Sequence, residues 1–254
     1  MPLIVNFSGG KDSLVCLFLA RGLTKNIECL FMASGLELPG TLEYVRERCR
    51  EFDTPLNVSH PEIHRIQHRI IPKYCHNLPG YIRHWGYFPT AVKRYCSCWL
   101  KHRPGRLLCR EKWGRETVFK IVGIRLNESN VRKWKYGNPE RCRKYGGREI
   151  RPDAEHNGSF MVMPILDWTN EQIAAFLKEK NVEIHSGYKH FGTSGCKWCP
   201  VMKPETAYLI AQKFPGIYSE LVAAENDIQK PAWQHKKIWL KDIVAMAANK
   251  NIGK

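Results

Sequence analysis

Short apolar runs alternate along this chain with longer stretches whose apolar residues recur every three or four positions. The runs Leu3 to Phe7, Ile27 to Ala33, Pro55 to Ser59, Val118 to Ile124 and Phe160 to Ile165 are apolar or β-branched and bounded by turn residues, which predicts buried strands. Between them, Asp12 to Gly22 carries Leu14, Val15, Leu17, Phe18 and Leu19, and Thr41 to Phe52 carries Leu42, Tyr44, Val45 and Cys49, both at helical spacing. In DWTNEQIAAFLKEK, Thr169 and Gln172 form a capping box that starts a further amphipathic helix. Strands alternating with helices predict an α/β fold, a doubly wound and mostly parallel sheet with ligands at the carboxyl ends of its strands. Beyond Lys203, KPETAYLIAQKF, IYSELVAAENDI and HKKIWLKDIVAM read as a C-terminal helical tail. The expected division is therefore a main domain over 1–200 and a helical extension over 201–254. There is no internal repeat and no low-complexity run, and only the polar stretch from Asn138 to Ser159 is expected to be disordered.

No window approaches a membrane span, and the first strand begins too early for a secretory leader, so a cytoplasmic protein with no membrane partner is expected. Its ten cysteines then read as reduced thiols or metal ligands rather than disulfides. The formal charge of +16 is unevenly spread. From Lys93 to Arg151 there are 18 Lys and Arg against 5 Glu and no Asp, an excess of +13. Within that stretch VRKWKYGNPERCRKYGGREIR interleaves Arg132, Lys133, Lys135, Arg141, Arg143 and Lys144 with Trp134, Tyr136 and Tyr145. A basic loop near 131–159 with aromatics suits a phosphate backbone and stacked bases, because a single nucleotide needs far fewer charges.

The stretch NFSGGKDSLVC follows the first apolar run directly. A strand that ends in Gly9 and Gly10 and turns into a helix aims backbone N–H groups and the positive end of the helix dipole at one spot, which makes an anion cradle. It is not the G-x-x-x-x-G-K-[ST] loop, since Lys11 is followed by Asp12. Ser8 and Ser13 offer hydroxyl donors, Lys11 a point charge, and Asp12 a group to orient a metal or a ribose.

Two cysteine clusters stand out: YCSCWLKHRP with Cys96 and Cys98, and SGCKWCP with Cys196 and Cys199. Four thiolates in two close pairs suit tetrahedral zinc or an iron–sulfur cluster, and spacing alone leaves both open. Cys16, Cys29 and Cys49 fall on predicted strands or helices and read as core, Cys75 and Cys109 are undecided, and Cys142 in the basic loop is a candidate sulfur acceptor. His60, His64 and His68 recur at i, i+4 and i+8 and would share a helix face, but the flanking Arg65 and Arg69 favour a basic contact face over a metal.

SGGKDS resembles the PP-loop of N-type ATP pyrophosphatases. ASGLELPGTLEYVRE, YCSCWLKHRPGRLL, VGIRLNESNVR, MPILDWTNEQIAAFL and SGCKWCPVM, in that order, are similar to the phosphoadenosine-phosphosulfate reductase branch of that superfamily. The resemblance implies that Ser8, Gly9, Gly10, Lys11, Asp12 and Ser13 bind the phosphates of ATP with Mg²⁺, with Lys11, Asp12 and Ser13 catalytic. It also implies that Gly35 and Gly123 flank the nucleotide and that Lys101, Arg125 and Arg132 add positive charge, Lys101 and Arg132 toward nucleic acid. By the same resemblance Cys96, Cys98, Cys196 and Cys199 would hold a [4Fe-4S] cluster. Ser97 separates two cysteines that are commonly adjacent in cluster-bearing members, which keeps zinc as the alternative.

Reductases of this branch use a cysteine in a C-terminal Glu-Cys-Gly motif, and no cysteine follows Cys199 here. The expectation is therefore an ATP-dependent sulfur-inserting enzyme, similar in character to the DndC and SspD proteins of DNA phosphorothioation. It would adenylate a nucleic-acid oxygen, a DNA backbone phosphate favoured over tRNA, and replace it with sulfur supplied by a cysteine desulfurase, with other modification-complex subunits as further partners. The alternatives are an adenylyl-sulfate or phosphoadenylyl-sulfate reductase and a non-catalytic, metal-bearing nucleic-acid-binding subunit.

Overall fold

The structure, a computed structural model, describes residues 2–63, 75–144, 146–153 and 158–251. The chain runs β1 (Leu3–Asn6), α1 (Lys11–Leu23), β2 (Ile27–Met32), α2 (Thr41–Glu51), β3 (Leu56–Ser59), α3 (Leu78–Trp85), α4 (Tyr95–Ser97), a π-helical turn (Cys98–His102) and α5 (Arg103–Trp113). It continues with β4 (Phe119–Ile121), α6 (Asn130–Gly137), α7 (Pro139–Lys144), β5 (Ile150–Pro152) and β6 (Phe160–Val162). The last helices are α8 (Asn170–Glu179), α9 (Gly187–Phe191), α10 (Pro204–Lys213), α11 (Ser219–Ile228) and α12 (Leu240–Asn251).

These elements form two compact units, one of residues 1–32, 40–59 and 105–185, the other of 33–39, 60–104 and 186–254. The division is thus interleaved rather than a single cut near residue 200, and the helices over 201–254 belong with earlier segments.

The first unit holds one six-stranded sheet in the order β3-β2-β1-β4-β6-β5, parallel except for β5. Ile4 and Val5 are both fully buried in central β1, as expected of a parallel strand covered on both faces. On one face Ile4 and Leu30 pack with Cys109 and Trp113 of α5. Helix α1 buries Leu14, Val15, Cys16, Leu17 and Ala20, and its Phe18 meets Phe52 and Phe176 edge-on. The chain moves from β1 to β2 and β3 on one side and to β4 and β6 on the other, so the strand order reverses between β1 and β4. Ligands of open parallel sheets collect at the carboxyl ends of such a pair.

Two expectations need correction. The stretch from Asn138 to Ser159 is not structureless where it is described: it forms α7 and the antiparallel edge strand β5. Cys142, expected as a sulfur acceptor in a loop, is a buried residue of α7; its thiol donates to Tyr136 O at 3.2 Å and its sulfur accepts from Arg151 Nη2 at 3.1 Å. Cys16, Cys29, Cys49, Cys75 and Cys109 are all buried. Tyr145, His64 and His68 lie outside the described residues.

The second unit is a helical core in which Trp198 packs on Phe88 and Trp233, with Tyr81, Ile82, Leu100, Ile210, Tyr218, Leu221 and Ile243 around them. Glu225 of α11 is fully buried there and accepts backbone N–H bonds from Ala232, Leu240 and Lys241 at 2.8, 2.8 and 2.9 Å. Among the described residues, no helix is long and apolar enough to cross a membrane.

Candidate functional site

The SGGKDS loop lies at the carboxyl end of β1, beside the point where the strand order reverses. Gly9 takes φ +78°, a left-handed conformation that favours glycine, and a Cβ there would crowd Val45 and Thr41 of α2 at 3.2 and 3.4 Å. Gly10 is the N-cap of α1 in extended conformation and no side chain caps the helix, so its positive end is left for a ligand. Ser13 Oγ donates to Gly10 O at 2.9 Å and accepts from Ser8 N at 3.2 Å, which closes the loop on itself. Ser13 therefore braces the cradle.

Asp12 is engaged on both oxygens. Arg125 Nε donates to Oδ1 at 2.8 Å and Arg125 Nη2 approaches Oδ2 at 3.4 Å, while Lys11 Nζ reaches the two oxygens at 2.9 and 3.1 Å. The guanidinium, almost wholly buried, is fixed further by Asn170 Oδ1 at 3.0 Å and Trp168 O at 3.4 Å. Asp12 thus acts as the anchor of the loop. Gly123, two residues before Arg125, sits so close to α1 that a Cβ would lie 2.9 Å from both the Asp12 carbonyl carbon and the Ser13 nitrogen. The order Gly123, Ile124, Arg125 therefore brings backbone against the loop and then a cation onto its acid. Asn6 Oδ1, at the end of β1, is buried without a hydrogen-bond partner, an acceptor that the motif reading missed.

The basic segment of the same unit becomes α6 and α7. Lys133, Trp134, Lys135, Arg143 and Lys144 are exposed, and Arg141 places its guanidinium carbon 3.8 Å from the centre of the Trp134 ring. Arg132 is half-exposed and ion-paired with Glu128. Lys101, expected with this group, belongs to the second unit, as does Gly35, which has φ +74° and open space around its α-carbon.

In that second unit Lys101 Nζ donates to Cys196 Sγ at 3.4 Å and lies 3.9 Å from Glu37 Oε1. Glu37 in turn accepts from Ser34 N and Oγ at 2.9 and 2.6 Å, and Lys197 N donates to Leu36 O at 2.6 Å, so the ASGLELP segment is zipped to the second cysteine pair. Burial, reinforced by the neighbouring Cys196 and Cys199 thiols, pushes the Cys96 thiol up to about 11. Burial also raises Cys199. Burial opposes the charge of Lys101, but Cys196 and Glu37 outweigh it and raise its pKa.

Cys196 thus acts on both Cys96 and Cys199, whereas Cys98 is exposed. Residues i and i+2 of a helical backbone project to nearly opposite sides, so Cys96 and Cys98 diverge at the π-helical turn. Among the described residues no three His, Cys, Asp or Glu groups are arranged to hold a metal ion, so the cluster and zinc alike do not fit the thiols as they stand.

A mostly parallel α/β unit with its glycine loop at the switch point, packed against Gly123 and held by Arg125, is the architecture of the PP-loop class. The phosphoadenosine phosphosulfate reductase domain model matches residues 2–202, and the chain belongs to that family. The chain is 27% identical over 244 residues to uncharacterized protein MJ0066 of Methanocaldococcus jannaschii, covering 94% of this chain and 44% of that protein. It is 28% identical over 135 residues to phosphoadenosine 5′-phosphosulfate reductase of Vibrio vulnificus, covering 48% of this chain and 52% of that protein. The chain thus spans about half the length of the curated relatives it matches. A crystal structure of phosphoadenylyl-sulfate reductase from Candida auris aligns with TM-score 0.49 at 16% identity, over 77% of this chain and 82% of that one.

Proposed function

We propose that this chain is an ATP-dependent sulfur-inserting enzyme domain that works on nucleic acid. The observation that supports it most is the presence, in one compact unit, of an anion cradle and of exposed cationic helices that a single nucleotide would leave unused. The acceptor is a nucleic-acid oxygen, a DNA backbone phosphate in the first instance and tRNA as the other candidate.

ATP enters with its phosphates on the loop, and Mg²⁺ comes with them, since the loop's single acid is already taken by Arg125 and Lys11. Arg125 is the key to the next step. Because it alone satisfies Asp12, Lys11 can swing to the β- and γ-phosphates without leaving a carboxylate unpaired. An acceptor oxygen attacks the α-phosphorus and pyrophosphate departs, its growing charge met by Lys11 and the uncapped positive end of α1. The acceptor now carries AMP, which the outer sulfur of a cysteine desulfurase persulfide displaces to give a disulfide between acceptor and carrier cysteine; a second thiol, from a thiol reductant, cleaves that bond, leaving sulfur on the acceptor and a disulfide between the two thiols. No step is assigned to a metal at the cysteines.

The test is pyrophosphate release from ATP by anaerobic protein, with and without DNA or tRNA. Cleavage to AMP and pyrophosphate is expected, falling about 10²–10³-fold in Lys11→Ala, the loss typical of one preorganised charge-stabilising donor. The match to the reductase domain favours one other reading, a sulfonucleotide reductase. Silence toward ATP, with sulfite formed from adenylyl sulfate or phosphoadenylyl sulfate and a thiol donor, would establish it instead.

A further inference from the structure

Helix α6 wears its apolar side outward. Val131 and Trp134, three residues apart and so on one face, are 70% and 58% exposed, while the single buried residue of the helix is Tyr136, which packs on Met163 and Leu166. A helix that merely covered the sheet would turn Val131 and Trp134 inward, since leaving a tryptophan in water forgoes favourable burial. The outward face is also held in shape. Arg141 of α7 lies over one side of the Trp134 ring at 3.8 Å, which leaves the other side of the ring as the open one.

What surrounds this ring identifies its occupant. Lys133 and Lys135 flank Trp134 in sequence, and Arg143 and Lys144 follow on α7, all exposed. Among the described residues Lys133, Lys135 and Arg143 form no ion pair, whereas Arg132 and Arg148, in the same segment, are matched with Glu128 and Asp167. The surplus charge therefore gathers around the exposed ring. A flat aromatic face rimmed by cations is the arrangement that stacks an unpaired base and holds its flanking phosphates. Duplex backbone alone would call for the cations and not the ring, because stacked base pairs present no free face.

We propose that the α6–α7 pair is a stacking platform for single-stranded nucleic acid, with Trp134 taking one unpaired base and Lys133, Lys135 and Arg143 the adjoining phosphates. This deepens the nucleic-acid reading above and rests on it. It narrows the substrate to a strand that is unpaired at the point of contact: an opened duplex, a loop or an end. An anionic membrane is the poorer match, since Val131 and Trp134 alone give an eight-residue helix little to bury in lipid.

The test titrates the intact protein against a fluorescently labelled oligothymidylate, the same strand annealed to oligoadenylate, and phosphatidylglycerol-containing vesicles. The single strand is expected to bind more tightly than the duplex and to quench tryptophan emission. Trp134→Ala is expected to weaken single-strand binding about tenfold with little effect on the duplex, and Trp134→Phe to restore most of it. Trp134 is largely exposed, so unfolding of the variant does not obscure the result. Equal affinity for both nucleic acids, steep in salt and indifferent to Trp134→Ala, would overturn the platform while leaving the broader reading intact. Binding to vesicles and to neither nucleic acid would overturn both.

Discussion

In the loop at the end of β1, one acid meets two cations; around the second cysteine pair, three thiols share one. Asp12 is held by Arg125 and Lys11, so adding an anion there leaves every charge matched. Among the described residues, Lys101 is the cation acting on both Cys96 and Cys199, Arg94 acts on Cys199 as well, and Glu37 competes for the same ammonium. The consequence is opposite: the loop keeps positive charge to spare beside its one acid, while burial raises the Cys96 and Cys199 thiols. A region's readiness for a ligand is set here by the count of its opposite partners rather than by the prominence of its motif.

The sharpest way to break the contrast is to take Arg125 away. Arg125→Met leaves Asp12 to Lys11 alone and strands the Asn170 and Trp168 acceptors, and a loss of about 3 kcal/mol is expected in urea unfolding. Arg125→Lys recovers little of it, since one ammonium cannot reach Asp12, Asn170 and Trp168 together as the planar guanidinium does. If Arg125→Met costs under about 1 kcal/mol, the lock is not what holds the loop. Next in size is Gly123→Ala, whose methyl has backbone rather than a flexible side chain in its way; about 2 kcal/mol and loss of ATP binding by calorimetry are expected.

The cysteine side gives smaller, pH-dependent effects. Cys96 holds its proton more tightly when folded, at about 11 against 9.0 for the free group, so the stability it contributes is complete below about 9 and is lost as pH rises through 11. Iodoacetamide mapping at neutral pH should accordingly label exposed Cys98 well before half-buried Cys96, with Cys96 quickening toward pH 11. Prompt labelling of Cys96 at neutral pH would place that thiol outside the cluster. Cys98→Ser should change stability by less than about 0.5 kcal/mol.

The sheet was legible because most of its strands are short, largely apolar or β-branched runs bounded by turn residues, and α8 because Thr169 and Gln172 cap it reciprocally, as the structure shows. The loop was legible too, as its glycines, lysine and acid are contiguous. Its partners were less so: Arg125 was named for its charge toward nucleotide, yet its contacts go to Asp12 and Asn170, residues more than forty positions away in either direction. Helices α6 and α7 were hidden by their own charge, since a run so rich in Arg and Lys carries no apolar stripe, and the residues that anchor it, Tyr136, Cys142 and Arg151, are scattered. Strand β5 has three residues, one a proline, too few for any period to register. The parting of Cys96 and Cys98 depends on backbone conformation that spacing does not encode.

Glu225 carries a consequence for motion. Its carboxylate ties the backbone at Ala232, Leu240 and Lys241 to α11, so the start of α12 is fastened to a helix that precedes it in the chain. Helix α12 cannot fray from its first turn without breaking these bonds to a buried side chain. Amide protons in that turn should therefore exchange with deuterium together with those of α11, as one cooperative opening.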